Sequence, residues 1–272
     1  MMSLLETSRR GPVTLLRLSR AAKRNALNPE MIAGIERFFR RPPEGTRAIV
    51  LHGDGNHFSA GLDLSTTTET TPAAGIHISR AWHRAFEQIE HGQVPVIAVL
   101  HGAVIGGGLE LAAAAHIRVA ERSAYYALPE GMHGIFVGGG GSVRIPRLIG
   151  TARMMDMMLT GRTYGAEAGA PLGFSQYVVE DGHGLAKGIE LAERIASNAV
   201  LSNFAVMQAL PRIARADPET GLLMESLMVA IVASDDEAKT RLHAFLEKQT
   251  PKVTNRSGAG SASPARSAGT GE

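Results

Sequence analysis

The chain contains no cysteine, a single tryptophan and only 5% aromatic residues. Without cysteine there is no disulfide, no thiolate zinc site and no thiol nucleophile. This fits a reducing compartment, and we expect a cytoplasmic protein. We expect no membrane span, because the longest apolar stretch, from about Val94 onward, is broken by His101, several glycines and Glu110. Residues 1–10 lack the apolar core of a signal peptide.

The chain also lacks a marked excess of charge. It has 28 Lys and Arg against 26 Asp and Glu, and the segment from Pro251 onward accounts for the difference, which leaves 25 of each sign in the rest. A formally neutral body does not predict nucleic-acid binding. The end of the chain is mostly Ser, Gly, Ala and Pro with scattered charges, so we expect a disordered tail over 251–272.

Several motifs that would indicate other chemistries are missing. No G-x-G-x-x-G follows a predicted strand, no phosphate-binding G-x-x-x-x-G-K-[ST] occurs, and no serine lies in G-x-S-x-G. The ten histidines include no pair three or four positions apart. The sequence therefore argues against nucleotide-phosphate cradling, serine hydrolysis and a helical zinc site.

Hydrophobic periodicity predicts alternating strands and helices, followed by helices alone. Buried strands are predicted over 12–18, 48–51, 94–100 and 117–120, and helices near 185–198, 201–210, 219–233 and 235–248. Asn28-Pro29-Glu30 predicts a helix start, since Asn caps, Pro suits the first helical position and Glu favours the positive end. Trp82 and Phe86 belong to an amphipathic helix that ends at Gly92, where they could pack in the core or line a pocket. The order predicts an α/β core with a helical C-terminal region.

Two glutamates stand in glycine-rich settings twenty positions apart. Glu110 ends the run GGGLE and begins an alanine-rich, buried helix, and Glu130 lies in PEG, ahead of four glycines at 138–141. An ionised carboxylate buried without partners is costly and shifts its pKa upward. Two such groups near one another are suited to acid–base chemistry. The plainer alternatives are a first-turn helix acid for Glu110 and a solvated loop acid for Glu130.

Six segments in order carry a resemblance to a known family. They are AKRNAL at 22–27, FSAGLDL at 58–64, GAVIGGGLELA at 102–112, PEG at 129–131, IPRLIG at 145–150 and LTGR at 159–162. The chain resembles the crotonase (enoyl-CoA hydratase/isomerase) family over about residues 10–250. The resemblance implies a spiral of repeated ββα units over 1–198 and a helical trimerisation region over 199–250. It also implies an acyl-CoA thioester substrate, no metal or redox cofactor, and a homo-trimer or homo-hexamer.

The resemblance assigns the reaction centre to four residues. Leu62 and Gly107 match the positions whose backbone N–H groups form the family's oxyanion hole, which stabilises the thioester enolate. Glu110 and Glu130 match the two hydratase carboxylates. The resemblance suggests that Glu110 activates the attacking water and Glu130 protonates C2, while the residues themselves leave the order of these two roles open. Keeping both favours hydration of a trans-2-enoyl-CoA. The alternatives are a Δ3,Δ2-enoyl-CoA isomerase, another crotonase-type acyl-CoA enzyme and, in a different class, a non-catalytic acyl-CoA-binding or RNA-binding relative.

The resemblance also implies a set of residues around the CoA ester. They are Lys23, Arg24, Ala60, Leu62, Asp63, Leu64, Gly107 and Gly138. The two cations suit the nucleotide phosphates, although an ordinary exposed basic pair is the alternative. Asp63 could be a turn or cap residue, and we assign it no chemical role. The chain departs from many relatives at His116, where an acid is common, and at Ser65, where a lysine is frequent.

Overall fold

Nine strands and eleven helices form the part of the chain that the computed structural model describes, residues 4–66 and 71–247. The strands are β1 (Leu5–Arg10), β2 (Val13–Leu18), β3 (Ala48–Gly53), β4 (Val96–Leu100), β5 (Ala103–Ile105), β6 (Ile117–Glu121), β7 (Tyr125–Ala127), β8 (Tyr164–Gly165) and β9 (Tyr177–Val179). The helices are α1 (Pro29–Arg40), α2 (Pro72–Glu90), α3 (Gly107–Ala114), α4 (Gly141–Ile149), α5 (Thr151–Thr160), α6 (Ala166–Gly169), α7 (Gly184–Ala196), α8 (Val200–Gln208), α9 (Leu210–Ile213), α10 (Pro218–Ser234) and α11 (Asp236–Leu246).

The strands form two sheets that the chain visits in turn. The larger sheet has the order β1-β2-β3-β4-β6-β9, antiparallel only between β1 and β2, and the smaller has the order β5-β7-β8. Single bridges between Ser59 and Val104 and between Leu27 and Leu62 continue this second layer. The chain therefore passes through a large-sheet strand, a second-layer segment and a helix, and then repeats. The predicted ββα spiral is confirmed.

The inner strands are buried on both faces because helices cover both sides of the large sheet. Alternate side chains along a strand point to opposite faces, so Ile49 and Leu51 of β3 enter the main core with α1 and α2. Ala48 and Val50 enter a smaller core against α7. Burial on both faces explains why these strands are continuous apolar runs rather than alternating ones.

The helix start predicted at Asn28 is present, and α2 also begins with a capping side chain. The side chain of Asn28 accepts a hydrogen bond from the N–H of Met31 over 2.9 Å, and Pro29 is the first residue of α1. Thr71 caps α2 through the N–H of Ala74 over 3.2 Å. The C-terminal helices α7, α8, α10 and α11 match the predicted segments to within a few residues. The predicted tail, 251–272, lies outside the described residues.

The C-terminal helices leave many large apolar side chains exposed. An apolar groove of about 550 Å³ lies between the helices α8, α10 and α11. Exposed members of α8 and α10 include Phe204, Leu222, Leu223, Leu227 and Val229. Within the described residues no helix is both long and apolar enough to cross a membrane. The boundary between a core at 1–198 and a helical region at 199–250 stays a prediction.

Candidate active site

A cavity of about 410 Å³ brings together residues from five parts of the chain. Five of the predicted site residues line it, namely Leu62, Gly107, Glu110, Glu130 and Gly138. They come from the segment before α2, from the start of α3, from the turn after β7 and from the glycine run before α4. Residues far apart in sequence therefore meet at one site, which the second-layer pairing of the spiral produces.

Glu110 lies in the first turn of α3, a helix whose residues are all buried. Its side chain is 3% exposed. Oε1 accepts hydrogen bonds from the backbone N–H groups of Gly139 over 2.8 Å and of Gly141 over 2.7 Å. Burial raises the pKa of Glu110, and these N–H donors oppose that rise because they favour the charged form. The buried carboxylate thus has partners, supplied by the glycine run thirty residues downstream.

Glu130 begins a 3-10 turn, Glu130–His133, and is 6% exposed. It is therefore not the solvated loop acid that the sequence left open. No described residue forms a hydrogen bond with its buried Oε2. Its Oε1 lies against Gly106, where an added Cβ would be 2.9 Å away. Burial, reinforced by the negative charge of Glu110, raises the pKa of Glu130 to about 7.

Two of the residues that line this cavity have backbone N–H groups without an acceptor among the described residues. No described residue accepts a hydrogen bond from the N–H of Leu62 or of Gly107, and Gly107 is the first residue of α3, where the helix itself supplies no acceptor. A Cβ built on Gly107 would lie 3.5 Å from the Leu62 nitrogen, so the two backbone segments lie close together. Paired free donors at a helix N-terminus suit an oxygen that gains negative charge.

The loop that carries Leu62 is fixed by its neighbours. The N–H of Leu27 donates to the carbonyl of Gly61 over 2.7 Å, and the N–H of Asp63 donates to the carbonyl of Leu27 over 3.0 Å. The buried hydroxyl of Ser59 donates to the carbonyl of Asn25 over 2.9 Å and accepts from the N–H of Gly61. These bonds flank Leu62 on both sides and leave its own N–H free.

Apart from Ser79, the side chains in the rest of the cavity wall are apolar. Ile78, Trp82, Ile135, Phe136 and Val137 line it, and its described lining contains no Lys, Arg or His. Trp82 is buried and stands edge-on to Phe86, which lies in the core rather than in the wall. An uncharged, apolar group fits this surface, since nothing in it would pair with a charge.

Comparison with known proteins decides the family. The family model described as enoyl-CoA hydratase/isomerase matches residues 8–256. The chain belongs to the enoyl-CoA hydratase/isomerase family. It is 32% identical to an enoyl-CoA hydratase from Mycobacterium tuberculosis, over 91% of this chain and 95% of that protein. It is 30% identical to the 2,3-dehydroadipyl-CoA hydratase of Escherichia coli, over 94% and 100%.

Solved structures agree with this assignment and with the fold. A crystal structure from Rhodopseudomonas palustris, assigned as an enoyl-CoA hydratase, has a TM-score of 0.88 and 59% identity, covering 90% of this chain and 95% of that one. The enoyl-CoA hydratase from Bacillus anthracis has a TM-score of 0.85 and 30% identity, covering 92% and 98%. The crotonase fold and the family membership predicted from the sequence are both confirmed.

The other predicted residues of this enoyl-CoA hydratase/isomerase family member lie near the cavity but outside its lining. Lys23 and Arg24 are exposed, and the carbonyl of Arg24 accepts a hydrogen bond from the N–H of Ala60 over 2.9 Å. Asp63 is buried, and its carboxylate binds Arg20 at 2.6 Å and the hydroxyl of Ser65 at 2.6 Å. Ser65 and Arg20 hold the pKa of Asp63 down at about 2.

Leu64, the last of the predicted CoA contacts, is exposed and also lies outside the cavity lining. The next positions of the chain, 67–70, lie outside the described residues. The roles of Lys23, Arg24, Ala60, Asp63 and Leu64 toward CoA stay predictions. All five lie in two segments, 23–24 and 60–64, that backbone hydrogen bonds join beside Leu62.

Sequence reasoning missed three residues that support this site. Asn25, fully buried, has a φ of +53° and donates to the carbonyls of Asp54 and His57. The hydroxyl of Ser79 donates to the carbonyl of Gly138, and Arg144 donates to the carbonyl of Gly139. Ser79 could have been found from the sequence, because it is a polar residue on the same face of the predicted helix as Trp82. Asn25 lies within the segment AKRNAL but was assigned no role, and nothing local in the sequence marks Arg144.

Proposed function

We propose that this protein is an enoyl-CoA hydratase that adds water to a trans-2-enoyl-CoA to give the 3-hydroxyacyl-CoA. The observation that carries the proposal is that two buried glutamates line one cavity with two residues, Leu62 and Gly107, whose backbone N–H groups have no acceptor among the described residues. A hydratase needs both a group that accepts a proton from water and a group that delivers one to carbon. The family membership supports a CoA ester as the substrate.

In the proposed reaction the thioester carbonyl oxygen accepts hydrogen bonds from the N–H groups of Leu62 and Gly107. Attack at C3 moves negative charge onto that oxygen, and fixed donors bind the enolate more strongly than the ground-state ester. The donors belong to the backbone, so an apolar side chain at position 62 is compatible with the role. The N-terminus of α3 adds its positive end to the stabilisation.

The two carboxylates act at different atoms. The N–H groups of Gly139 and Gly141 bind Oε1 of Glu110, and we assign its Oε2 to take the proton of the attacking water. The water oxygen forms the bond to C3. Glu130, with a pKa of about 7, delivers a proton to C2 as the enolate collapses. Glu110 then releases the water proton to solvent and Glu130 takes up a proton from solvent, so that both groups return to their starting states and the net change is one water added across C2 and C3.

The test is the loss of conjugated-thioester absorbance of crotonyl-CoA by the parent, Glu110→Gln and Glu130→Gln. We expect rapid loss with the parent, and rates at least about 10² lower with each variant. Each variant keeps the size of the side chain, so circular dichroism and CoA-ester binding serve as the folding control. A parent that binds the ester without turning it over would instead indicate the acyl-CoA-binding alternative.

The isomerase alternative predicts a different response of the two variants. Moving a double bond from C3 to C2 needs one group that shuttles a proton, which Glu130 could do alone. If the parent converts trans-3-hexenoyl-CoA but does not hydrate crotonyl-CoA, and Glu110→Gln keeps that conversion, the enzyme is an isomerase. The presence of Glu110, held by two N–H donors, is what favours hydration.

We also propose that the exposed apolar side chains of α8, α10 and α11 pair with further copies of the chain, in a trimer or a dimer of trimers. Large exposed apolar patches are typical of interaction surfaces. The groove between these helices is almost entirely apolar and is not part of the acyl cavity. Lys23 and Arg24 remain our proposed contacts to the CoA phosphates.

A further inference from the structure

The peptide group between Gly138 and Gly139 is hydrogen-bonded at both of its ends. Its N–H donates to Oε1 of Glu110 over 2.8 Å. Its carbonyl oxygen accepts from the hydroxyl of Ser79 over 2.7 Å. The two bonds point in opposite directions from one planar unit, so together they define which way the peptide faces.

This orientation is not secured by the backbone itself. A peptide flip changes only the ψ of the residue before it and the φ of the residue after it, and glycine tolerates the values on either side. Both of these residues are glycine, and neither is in a helix or strand. In the flipped orientation the carbonyl oxygen of Gly138 would face Glu110, where it repels an ionised carboxylate but accepts a hydrogen bond from a protonated one.

In the proposed hydration, the Glu110 carboxylate becomes protonated in every turnover, when it takes a proton from water. A peptide free to flip would then bind the protonated carboxyl and delay its return to the ionised state. We propose that Ser79 is a positioning residue that holds the Gly138–Gly139 peptide with its N–H toward Glu110. This inference rests on the proposed hydratase function and extends it to a residue on α2 that contacts neither carboxylate.

The placement of Ser79 supports the role. It lies three residues before Trp82, on the same face of α2 and in the cavity lining. Its single proton goes to Gly138, so it accepts a hydrogen bond from Nε2 of His83, which lies 3.3 Å away. At the next peptide along, Arg144 donates to the carbonyl of Gly139 over 3.0 Å.

Arg144 is itself anchored to α2. Its Nε donates to Glu90 over 2.7 Å, at the last residue of that helix. The two helices α2 and α4 therefore hold consecutive carbonyls of the glycine run, but only the peptide bound by Ser79 carries an N–H that binds Glu110. The charged groups that act on Glu110 are Glu130 from the 3-10 turn and Arg144 from α4, while His83 reaches only Ser79.

The test compares Ser79→Ala with Ser79→Thr, which keeps the hydroxyl. Ser197→Ala is the matched control, since the Ser197 hydroxyl also donates to a carbonyl, that of Arg194 at 2.6 Å, but at the end of α7 on the far side of the large sheet. For trans-2-enoyl-CoA hydration we expect Ser79→Ala to lower kcat about five- to tenfold, the worth of one hydrogen bond, with a much smaller change in KM. Ser79→Thr and Ser197→Ala should retain the parent's kcat.

The pH profile separates positioning from a general structural defect. Loss of an N–H donor removes an interaction that favours the ionised form, so it raises the pKa of Glu110. The acid limb of kcat/KM should therefore move to higher pH in Ser79→Ala and not in Ser79→Thr. Parental kcat and an unmoved acid limb in Ser79→Ala would overturn the proposal.

A second measurement reads the same contact without turnover. The side-chain carboxyl of Glu110 can be titrated by ¹³C NMR in protein labelled at glutamate, with Glu110→Gln to assign the signal. An upward shift of its midpoint in Ser79→Ala supports positioning, and an unchanged midpoint overturns it. If the parent hydrates no enoyl-CoA but Ser79→Ala still raises the titration midpoint of Glu110, the hydratase function fails, whereas the contact between Ser79 and the glycine run stands.

Discussion

Glu110 and Glu130 share one cavity, but the glycine run donates hydrogen bonds to Glu110. Two N–H groups of the glycine run bind its Oε1, whereas the buried Oε2 of Glu130 has no partner among the described residues. Donors favour an ionised carboxylate, and burial without donors favours a protonated one. The asymmetry supports the assignment of Glu110 as the proton acceptor and Glu130 as the proton donor in the proposed reaction.

The first prediction concerns pH. Glu130 must carry its proton to act as the acid, and its pKa is raised to about 7. We therefore expect kcat/KM for crotonyl-CoA hydration to fall as the pH rises through about 7, because kcat/KM reports the free enzyme. Measurement from pH 5.5 to 9 tests this. A profile without an alkaline limb would contradict the assignment of Glu130 as the acid.

The second prediction concerns stability. The pKa of Glu130 lies above its ordinary value of 4.5, so the folded protein retains a proton that the unfolded chain releases. The associated stability is present below pH 4.5 and is lost as the pH rises through about 7. Glu130→Gln, which stays uncharged, should increase the free energy of unfolding by about 1–3 kcal/mol at pH 8.5 and by much less at pH 5.

Urea unfolding at the two pH values measures this difference. The control is Glu87→Gln, which removes an exposed glutamate of α2 and should give the same change at both pH values. Equal stabilisation of Glu130→Gln at pH 5 and pH 8.5 would show that the charge of Glu130 carries no penalty in the fold.

The third prediction concerns the proposed oxyanion site. A Cβ at Gly107 would lie 2.5 Å from the Trp82 ring and 3.5 Å from the Leu62 nitrogen. We expect Gly107→Ala to displace the N-terminus of α3 or the indole and to lower kcat/KM about 10²–10³-fold, as for loss of an oxyanion donor. Gly165→Ala is the control, because a Cβ there meets nothing within 4 Å. Near-parental turnover by a folded Gly107→Ala would argue against this site.

The fourth prediction concerns the acyl group. The described lining of the cavity contains no cation that could pair with a carboxylate at the end of the acyl group, and it already holds two acidic side chains. We expect trans-2-hexenoyl-CoA to be hydrated with a kcat/KM on the order of 10² higher than 2,3-dehydroadipyl-CoA, which has the same chain length and a terminal carboxylate. Phe136→Arg, which adds a cation to the lining, should lower the ratio of the kcat/KM values for the two esters. Equal rates with the two esters would show that the acyl end reaches a polar environment.

The fifth prediction concerns assembly. Leu227 is 54% exposed on α10, among the apolar side chains of the C-terminal helices. We expect light scattering to give three or six chain masses for the parent. Leu227→Glu should dissociate this assembly, because it places charges in an apolar contact. Glu219→Gln, at the exposed start of the same helix, should leave the mass unchanged. A monomeric parent would refute the proposed use of this surface.

Local patterns in the sequence predicted much of the architecture. The Asn28-Pro29-Glu30 cap is present as predicted, and the apolar runs at 48–51 and 94–100 are inner strands. The methionines of α5 show where such reasoning stops. Met154 and Met157 are buried, whereas Met155 is 55% exposed. Periodicity identifies a helix, but it does not say how much of the helix surface its neighbours cover.

Caps and strand periodicity are encoded by neighbouring residues, so the sequence alone indicated an α/β core with a helical C-terminal region. The resemblance of its short motifs to a known family supplied the crotonase fold and singled out the two glutamates. The partners of those glutamates were decided only by the tertiary structure. Gly139 and Gly141 reach Glu110 across 29 and 31 positions, and Ser79 reaches Gly138 across 59. The same carboxyl group is held ionised or protonated according to burial and the donors that the fold brings to it, and neither is a property of the local sequence.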